Sequence, residues 1–304
     1  MDAFSGIVLL DKPAGITSFQ ALFPLKKVFR TKRVGHAGSL DMRASGLIVA
    51  AVGRATRLLP YIEAAHKSYS FRLHLGYETD TLEWDGEVTK QDECAEPFSV
   101  ADVESVLSSF RGSIRQVPPN YSAIKIQGKR ASDLMLRGRE VNIPSRPLEI
   151  HRLEMKGMAA TPTSGCSGRI RASFDMECDC SKGTYIRSLC RDMGLALGSF
   201  GCVSHIHRVR IGSLRVSDAV TPGELTTASL QMPQSVLPFP VVSLNLDALT
   251  VLRHGNWIPW KTVIPISEGM EPLVLVEDAT GAIQFVCTYE PGRLMPKFFV
   301  GVGE

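Results

Sequence analysis

The apolar run Ile7-Val8-Leu9-Leu10 reads as a buried strand, closed by the turn-like Asp11-Lys12-Pro13-Ala14-Gly15. Thr17 or Ser18 then caps a helix that bears Lys26, Lys27, Arg30, Lys32 and Arg33, and Pro24 inside it predicts a break. Ser99, followed three residues later by Asp102, has the spacing of a capping box; Val100, Val103, Leu107 and Phe110 then fall on one helical face. Ile170, Ala172, Phe174, Met176, Cys178 and Cys180 alternate with Arg171, Ser173, Asp175, Glu177 and Asp179, which predicts a strand with one wet face. After Ser181-Lys182-Gly183-Thr184, a helix is expected with Ile186, Leu189, Cys190, Met193 and Leu197 in register. Near the end, Leu273-Val274-Leu275-Val276 and Ile283-Gln284-Phe285-Val286-Cys287 flank Asp278-Ala279-Thr280-Gly281, a hairpin signature.

Strands and helices do not alternate as regular βαβ units, so the pattern favours α+β over a doubly wound sheet. The clearest boundary is residues 231–240, where prolines 233, 238 and 240 suppress helix and interior strand. It predicts a body over residues 1–235 and a small all-β piece over 236–304.

With 304 residues, 44% hydrophobic and 21% charged, the chain has ordinary globular composition, which excludes wholesale disorder. The apolar run Leu47–Val52 is far too short to span a membrane, and the N-terminus lacks a basic start and a cleavable apolar region, so a cytoplasmic protein is expected. Of seven cysteines only Cys178 and Cys180 are close, with no second pair at zinc-ligand spacing; reduced thiols are expected. The net charge of +3 conceals a pattern: residues 1–60 carry 9 Lys and Arg against 3 Asp and Glu, whereas residues 61–110 carry 3 against 11. Residues 111–150 and 151–220 are again basic, at 8 against 3 and 10 against 6, and residues 221–304 are acidic, at 4 against 8. Basic blocks of this kind make either a phosphate-tracking surface or solvated helix faces.

The densest concentration of chemistry is Gly35-His36-Ala37-Gly38-Ser39-Leu40-Asp41-Met42-Arg43-Ala44-Ser45-Gly46. Its glycines permit sharp turns and close backbone approach. No Gly-Lys-Ser/Thr ends it, and Gly-x-Gly-x-x-Gly spacing is missing, so neither a P-loop nor a dinucleotide fingerprint fits.

This loop resembles the catalytic motif of the TruB family of pseudouridine synthases, Gly-His-x-Gly-Thr/Ala-Leu-Asp-Pro-x-Ala-Thr/Ser-Gly. Further blocks resemble the family in the same order: Asp11–Ser18, Lys67-Ser68-Tyr69 with Gly76–Thr81, Gln116–Lys125, and Ser181–Arg187. Together they span roughly residues 5 to 215. The resemblance implies an α+β fold with a mixed, mainly antiparallel sheet flanked by helices. It also implies a basic RNA-gripping insertion at about residues 114–147 and a PUA-like C-terminal domain that includes Leu252-Arg253-His254-Gly255.

The implied activity is conversion of uridine 55 in the T-arm of tRNA to pseudouridine, by glycosidic cleavage, rotation of the uracil and rejoining through carbon 5, without a metal or organic cofactor. The base must be flipped into a pocket. By the same resemblance Asp41 is the nucleophile or base that starts cleavage, Arg187 holds it charged and oriented, and Tyr69 stacks on the uracil near the proton leaving carbon 5. Tyr185 and Ile206 line the pocket, His36 fills the place of the everted base, and Asp80 hydrogen-bonds within the pocket. Lys12, Pro13 and Gly15 support the Asp41 loop, Lys12 also being counted with the substrate contacts. Lys125, Lys129, Arg130, Arg137, Arg139 and Arg208 contact RNA phosphate. The implied partner is tRNA, bound by a monomer with no membrane and no obligatory protein partner.

Departures from the family pattern carry their own expectations. Met42-Arg43 replaces Pro and a Leu-like residue, which predicts a looser turn after Asp41 and an added charge beside it. Ile206-His207-Arg208 stands for the common Leu-Arg-Arg, and Ala131, Met135 and Leu136 replace the usual insertion pattern. Two other readings use the same cleft: a non-catalytic tRNA-folding chaperone, and a synthase directed to other RNA by guide-RNA partners. Asp41, Tyr69 and Arg187 together favour an enzyme, since binding alone has no need of Asp41, and the chain length and compact β tail fit the stand-alone type better than the guide-RNA type.

Overall fold

The computed structural model describes residues 4–93, 96–126, 128–138, 141–160, 169–262, 264 and 272–301. Arg139 lies outside them. The chain forms two compact units, one of Met1–Met42, Gly46–Glu63 and Ser213–Glu304, the other of Arg43–Ser45 and Ala64–Gly212.

The first unit holds β1 (Gly6–Lys12), α1 (Ser18–Ala21), α2 (Phe23–Val28), β2 (Val34–Ala37), β3 (Ser45–Val52) and α3 (Leu59–Glu63). As the apolar run requires, β1 is buried; it pairs antiparallel with β3, which also pairs with β2. Thr17 caps α1 in a reciprocal box with Gln20. The break forced by Pro24 falls early: Pro24 sits in the first turn of α2, where its missing N–H costs nothing. Arg30 follows the helix with φ 48°, so Arg30, Lys32 and Arg33 lie beyond it rather than on it.

The same unit contains β13 (Leu214–Arg215), β14 (Val241–Ser243), α7 (Leu246–Arg253), β15 (Ile258–Trp260), β16 (Leu273–Glu277), β17 (Ile283–Glu290) and β18 (Gly292–Phe299). Five of these strands form a sheet in the order β14-β16-β17-β18-β15, with the β16–β17 hairpin where the Asp278–Gly281 signature placed it. The piece is not all-β, however. Asn245 caps α7 by accepting from the N–H of Ala248, and Leu249 and Leu252 pack with Val274, Val276, Phe285 and Leu294. Two inward leucines three apart are too few to show helical periodicity in the sequence. Nor is the proline-rich stretch a bare linker: Gln231 exchanges backbone bonds of 2.9 and 2.7 Å with Ile7, and Pro233, Val236 and Leu237 are buried.

The second unit contains β4 (Lys67–Leu75), β5 (Tyr77–Thr79), β6 (Val88–Gln91), α4 (Val100–Leu107), β7 (Gly112–Gln116), β8 (Lys125–Ile126), β9 (Lys129–Arg130), α5 (Ala131–Met135), β10 (Arg146–Met158), β11 (Ala172–Cys180), α6 (Ile186–Ala196) and β12 (Gly201–Ile211). Its sheet runs β12-β4-β11-β10-β7 with every pair antiparallel. The capping box at Ser99 and Asp102 is formed; Val103 and Leu107 are buried, whereas Val100, at the first position of α4, is exposed. On β11 the expected wet face is partly covered, because Ser173 is buried against His74 at 2.8 Å. The Cys178, Cys180, Cys190, Cys202 and Cys287 thiols are free and buried. Among the described residues no cluster of His, Cys, Asp or Glu is arranged to hold a metal ion, and no helix is long and apolar enough to cross a membrane.

Candidate active site

Residues 38–44 form the loop that joins β2 to β3, and Asp41, in the first unit, sits half-buried near its middle. Gly38 at φ 77° permits the turn that leaves β2. Leu40 is fixed by the Ser18 hydroxyl, which accepts from its N–H at 2.8 Å and donates to its carbonyl at 3.0 Å. On the other side of Asp41, the Met42 carbonyl accepts from the Gly15 N–H at 2.8 Å and from Lys12 Nζ at 3.2 Å. The turn after Asp41 is therefore held rather than loosened by the missing proline. Its anchors come from the Asp11–Ser18 block, which explains why that block accompanies the Asp loop in the sequence.

Lys12 is fully buried, and its ammonium donates to the carbonyls of Pro13 at 2.9 Å and Ile16 at 2.8 Å as well as Met42. A buried ammonium needs such partners. Lys12 thus braces the loop, whereas it was also counted with the substrate contacts. His36 lies half-exposed on β2, opposite Ala50 of β3.

In the second unit, Tyr69 lies on the central strand β4, flanked by Cys178 of β11 and Arg208 of β12. Arg208 is 1% exposed and donates to the Tyr69 phenol, so it braces the tyrosine and does not face an RNA phosphate. Burial pushes the Tyr69 phenol up to about 12, and the Arg208 charge only partly opposes that. Ile206 follows His205, which adopts φ 54° at an irregularity in the β12–β4 register between Ser204 and His207. The bulge turns Ile206 into a buried position without ending the strand.

Arg187, in the first turn of α6 and buried, donates to the carbonyl of Thr81 at 3.0 Å and to that of Tyr121 at 3.0 Å. It thereby joins three of the sequence blocks, since Thr81 belongs to the second, Tyr121 to the third and Arg187 to the fourth. The buried Gln116 accepts from the N–H of half-buried Tyr185 at 2.9 Å. Asp80 is used within its own turn, accepting from the N–H groups of Thr81 at 2.8 Å and Glu87 at 3.0 Å. Lys125 and Lys129 are exposed on the β8–β9 ribbon, with Arg130 opposite Lys125 in its register, and Arg137 is exposed at the end of the α5 turn.

Sequence reasoning missed several positioning groups. Gln116 stood in a quoted block without a role, and no local pattern marks it as the partner of Tyr185. Arg43, expected as a stray charge, is paired with Glu83 at 3.5 Å and with Asp85. The strongly acidic composition of residues 61–110 was the available signal. His74 is buried between the hydroxyls of Ser173 and Ser204 at 2.8 and 2.7 Å, and burial drives it down to about 4, so its ring is neutral.

Comparison with known proteins adds to this geometry. The family model described as "TruB family pseudouridylate synthase (N terminal domain)" matches residues 26–186. The chain is 43% identical to "tRNA pseudouridine synthase B" of Brucella anthropi, covering 99% of this chain and 93% of that one. It is 34% identical to the protein of the same name from Synechococcus sp., covering 98% of each. Among solved structures, "Structure of H/ACA RNP bound to a substrate RNA containing 2'-deoxyuridine" matches with a TM-score of 0.66 at 19% identity, over 98% of this chain and 85% of that one. "Crystal Structure of a Cbf5-Nop10-Gar1 Complex" gives the same TM-score at 20% identity, over 97% and 84%. At that identity the structures speak to the fold alone.

Proposed function

The chain belongs to the TruB family of pseudouridylate synthases, and from that premise we propose how its residues divide the work of a tRNA pseudouridine synthase. The enzyme isomerises uridine 55 in the T-arm of tRNA. The bond from the ribose carbon to N1 of uracil breaks, the base turns, and the same carbon joins C5. N1 gains a proton as C5 loses one, so no oxidant or co-reactant is consumed.

Asp41 starts the cleavage as nucleophile or base. The observation that carries this is the fixation of both its neighbours, Leu40 by Ser18 and Met42 by Gly15 and Lys12. A carboxylate on a backbone pinned at either side is aimed before substrate arrives, which lowers the reorganisation needed in the transition state. In this reading Arg187 is the cationic partner that orients Asp41. Tyr69 stacks on the flipped uracil as a neutral phenol, since its proton is retained up to about pH 12. Tyr185 and Ile206 wall the pocket, His36 fills the gap in the T-loop, and Lys125, Lys129 and Arg130 grip the backbone of the RNA. The enzyme works in the cytoplasm as a monomer on tRNA without an obligatory protein partner.

The site of modification is tested by incubating the protein with an unmodified tRNA transcript and mapping pseudouridine by carbodiimide-dependent primer-extension stops. One new stop in the T-loop is expected. Stops elsewhere, or none unless a second RNA is added, contradict the reading.

A further inference from the structure

From Lys12 to Leu40 the chain carries six Lys and Arg and no Asp or Glu. Within this stretch Phe19 and Phe23 are 56% and 49% exposed, an unusual placement for two large apolar rings on one small surface. They meet edge to face with centroids 5.3 Å apart, and Lys26 Nζ lies 4.5 Å from the Phe19 centroid and 5.3 Å from that of Phe23. Lys27, Arg30, Lys32 and Arg33 follow, all exposed. The patch adjoins the Asp41 loop: Ser18, which clamps Leu40, immediately precedes Phe19 in α1.

We propose that Phe19 and Phe23 form a stacking platform for an unpaired base of the T-arm other than the one flipped for reaction, with Lys26, Lys27 and Arg30 holding the flanking phosphates. Exposed aromatic faces interleaved with cations are the chemistry that holds single-stranded nucleic acid, because every base offers a π-face and every linkage a negative charge. An acidic protein partner would also meet the charge. RNA is favoured because Phe19 is the chain neighbour of Ser18, the buried side chain that clamps the residue before Asp41. The inference rests on the synthase reading for the identity of the RNA.

The test is the dissociation constant of the wild type, Phe19→Ala/Phe23→Ala, Phe19→Leu/Phe23→Leu and Lys27→Glu/Arg30→Glu for an unmodified T-arm stem-loop at several salt concentrations. Thermal melting checks that each variant is folded. The alanine and leucine pairs are both expected to weaken binding by about tenfold, with the salt slope unchanged. The charge-reversed pair is expected to weaken binding and flatten the logarithmic salt slope by about two. Wild-type affinity in the alanine pair overturns the proposal, as does wild-type affinity in the leucine pair, where stacking is removed. A wild type that binds the stem-loop but converts no uridine defeats the synthase reading alone and leaves the patch measurement intact.

Discussion

The Ser18 hydroxyl bonds both backbone groups of Leu40, at 2.8 and 3.0 Å, and Leu40 precedes Asp41. One side chain thus sets the plane of the peptides that lead into Asp41. Ser18→Ala should leave a buried N–H and a buried carbonyl without that partner, destabilising the protein by about 1–3 kcal/mol. The catalytic consequence is expected in kcat rather than KM, by roughly tenfold or more, because the aim of Asp41 changes while the RNA grip does not. Denaturant melts and steady-state kinetics on the same preparation check both halves; an equal change confined to KM would contradict the aiming role.

The pairing of Tyr69 with Arg208 sets a second expectation. Burial raises the phenol to about 12, so the protonated form prevails below that pH and Tyr69 contributes no alkaline inflection to the rate through pH 10. In ultraviolet titration, Tyr69→Phe should lose ionising absorbance only near pH 12. Loss of a phenol titrating near pH 10 would place Tyr69 in water instead.

His74 gives a dependence in acid. Its pKa is lowered to about 4 in the folded protein, so the unfolded chain binds the extra proton first. The stability it contributes is present above about pH 6.5 and is lost as pH falls through about 4, a swing of about 3 kcal/mol. His74→Gln is expected to be less stable at pH 7 and to lack this component of the slope between pH 7 and 4. Urea melts across that range measure it, and parallel curves for the two proteins would contradict it.

Arg43 should matter little to folding. Its side chain is 55% exposed, so its pairs with Glu83 and Asp85 are screened and together worth about 1 kcal/mol or less. Arg43→Leu is expected to melt within about 1 kcal/mol of the wild type, with a difference that shrinks in added salt. A loss of several kcal/mol would show a buried ion pair instead.

These residues also show what the sequence reveals and what it hides. Turn chemistry and capping are local, so the Ser99–Asp102 box and the Asp278–Gly281 hairpin could be read directly, as could the glycine-rich loop around Asp41. Arg208 was misplaced because charge suggests solvent, and nothing nearby in sequence names the phenol that it meets. Arg208 meets Tyr69 only through the β12–β4 register, across more than a hundred residues. Asp80 is anchored locally, two N–H groups of its own turn bonding one of its carboxylate oxygens. Helix α7 was hidden by brevity, since its inward leucines are too few to outweigh the strand signals around it.

The central claim, that Asp41 initiates uridine isomerisation, is tested most directly by single-turnover release of tritium from carbon 5 of an unmodified T-arm stem-loop, with Asp41→Asn and Asp41→Ala alongside. The account predicts release by the wild type and none above background by either variant, each still binding the stem-loop. Release by Asp41→Asn at a rate near that of the wild type would contradict it.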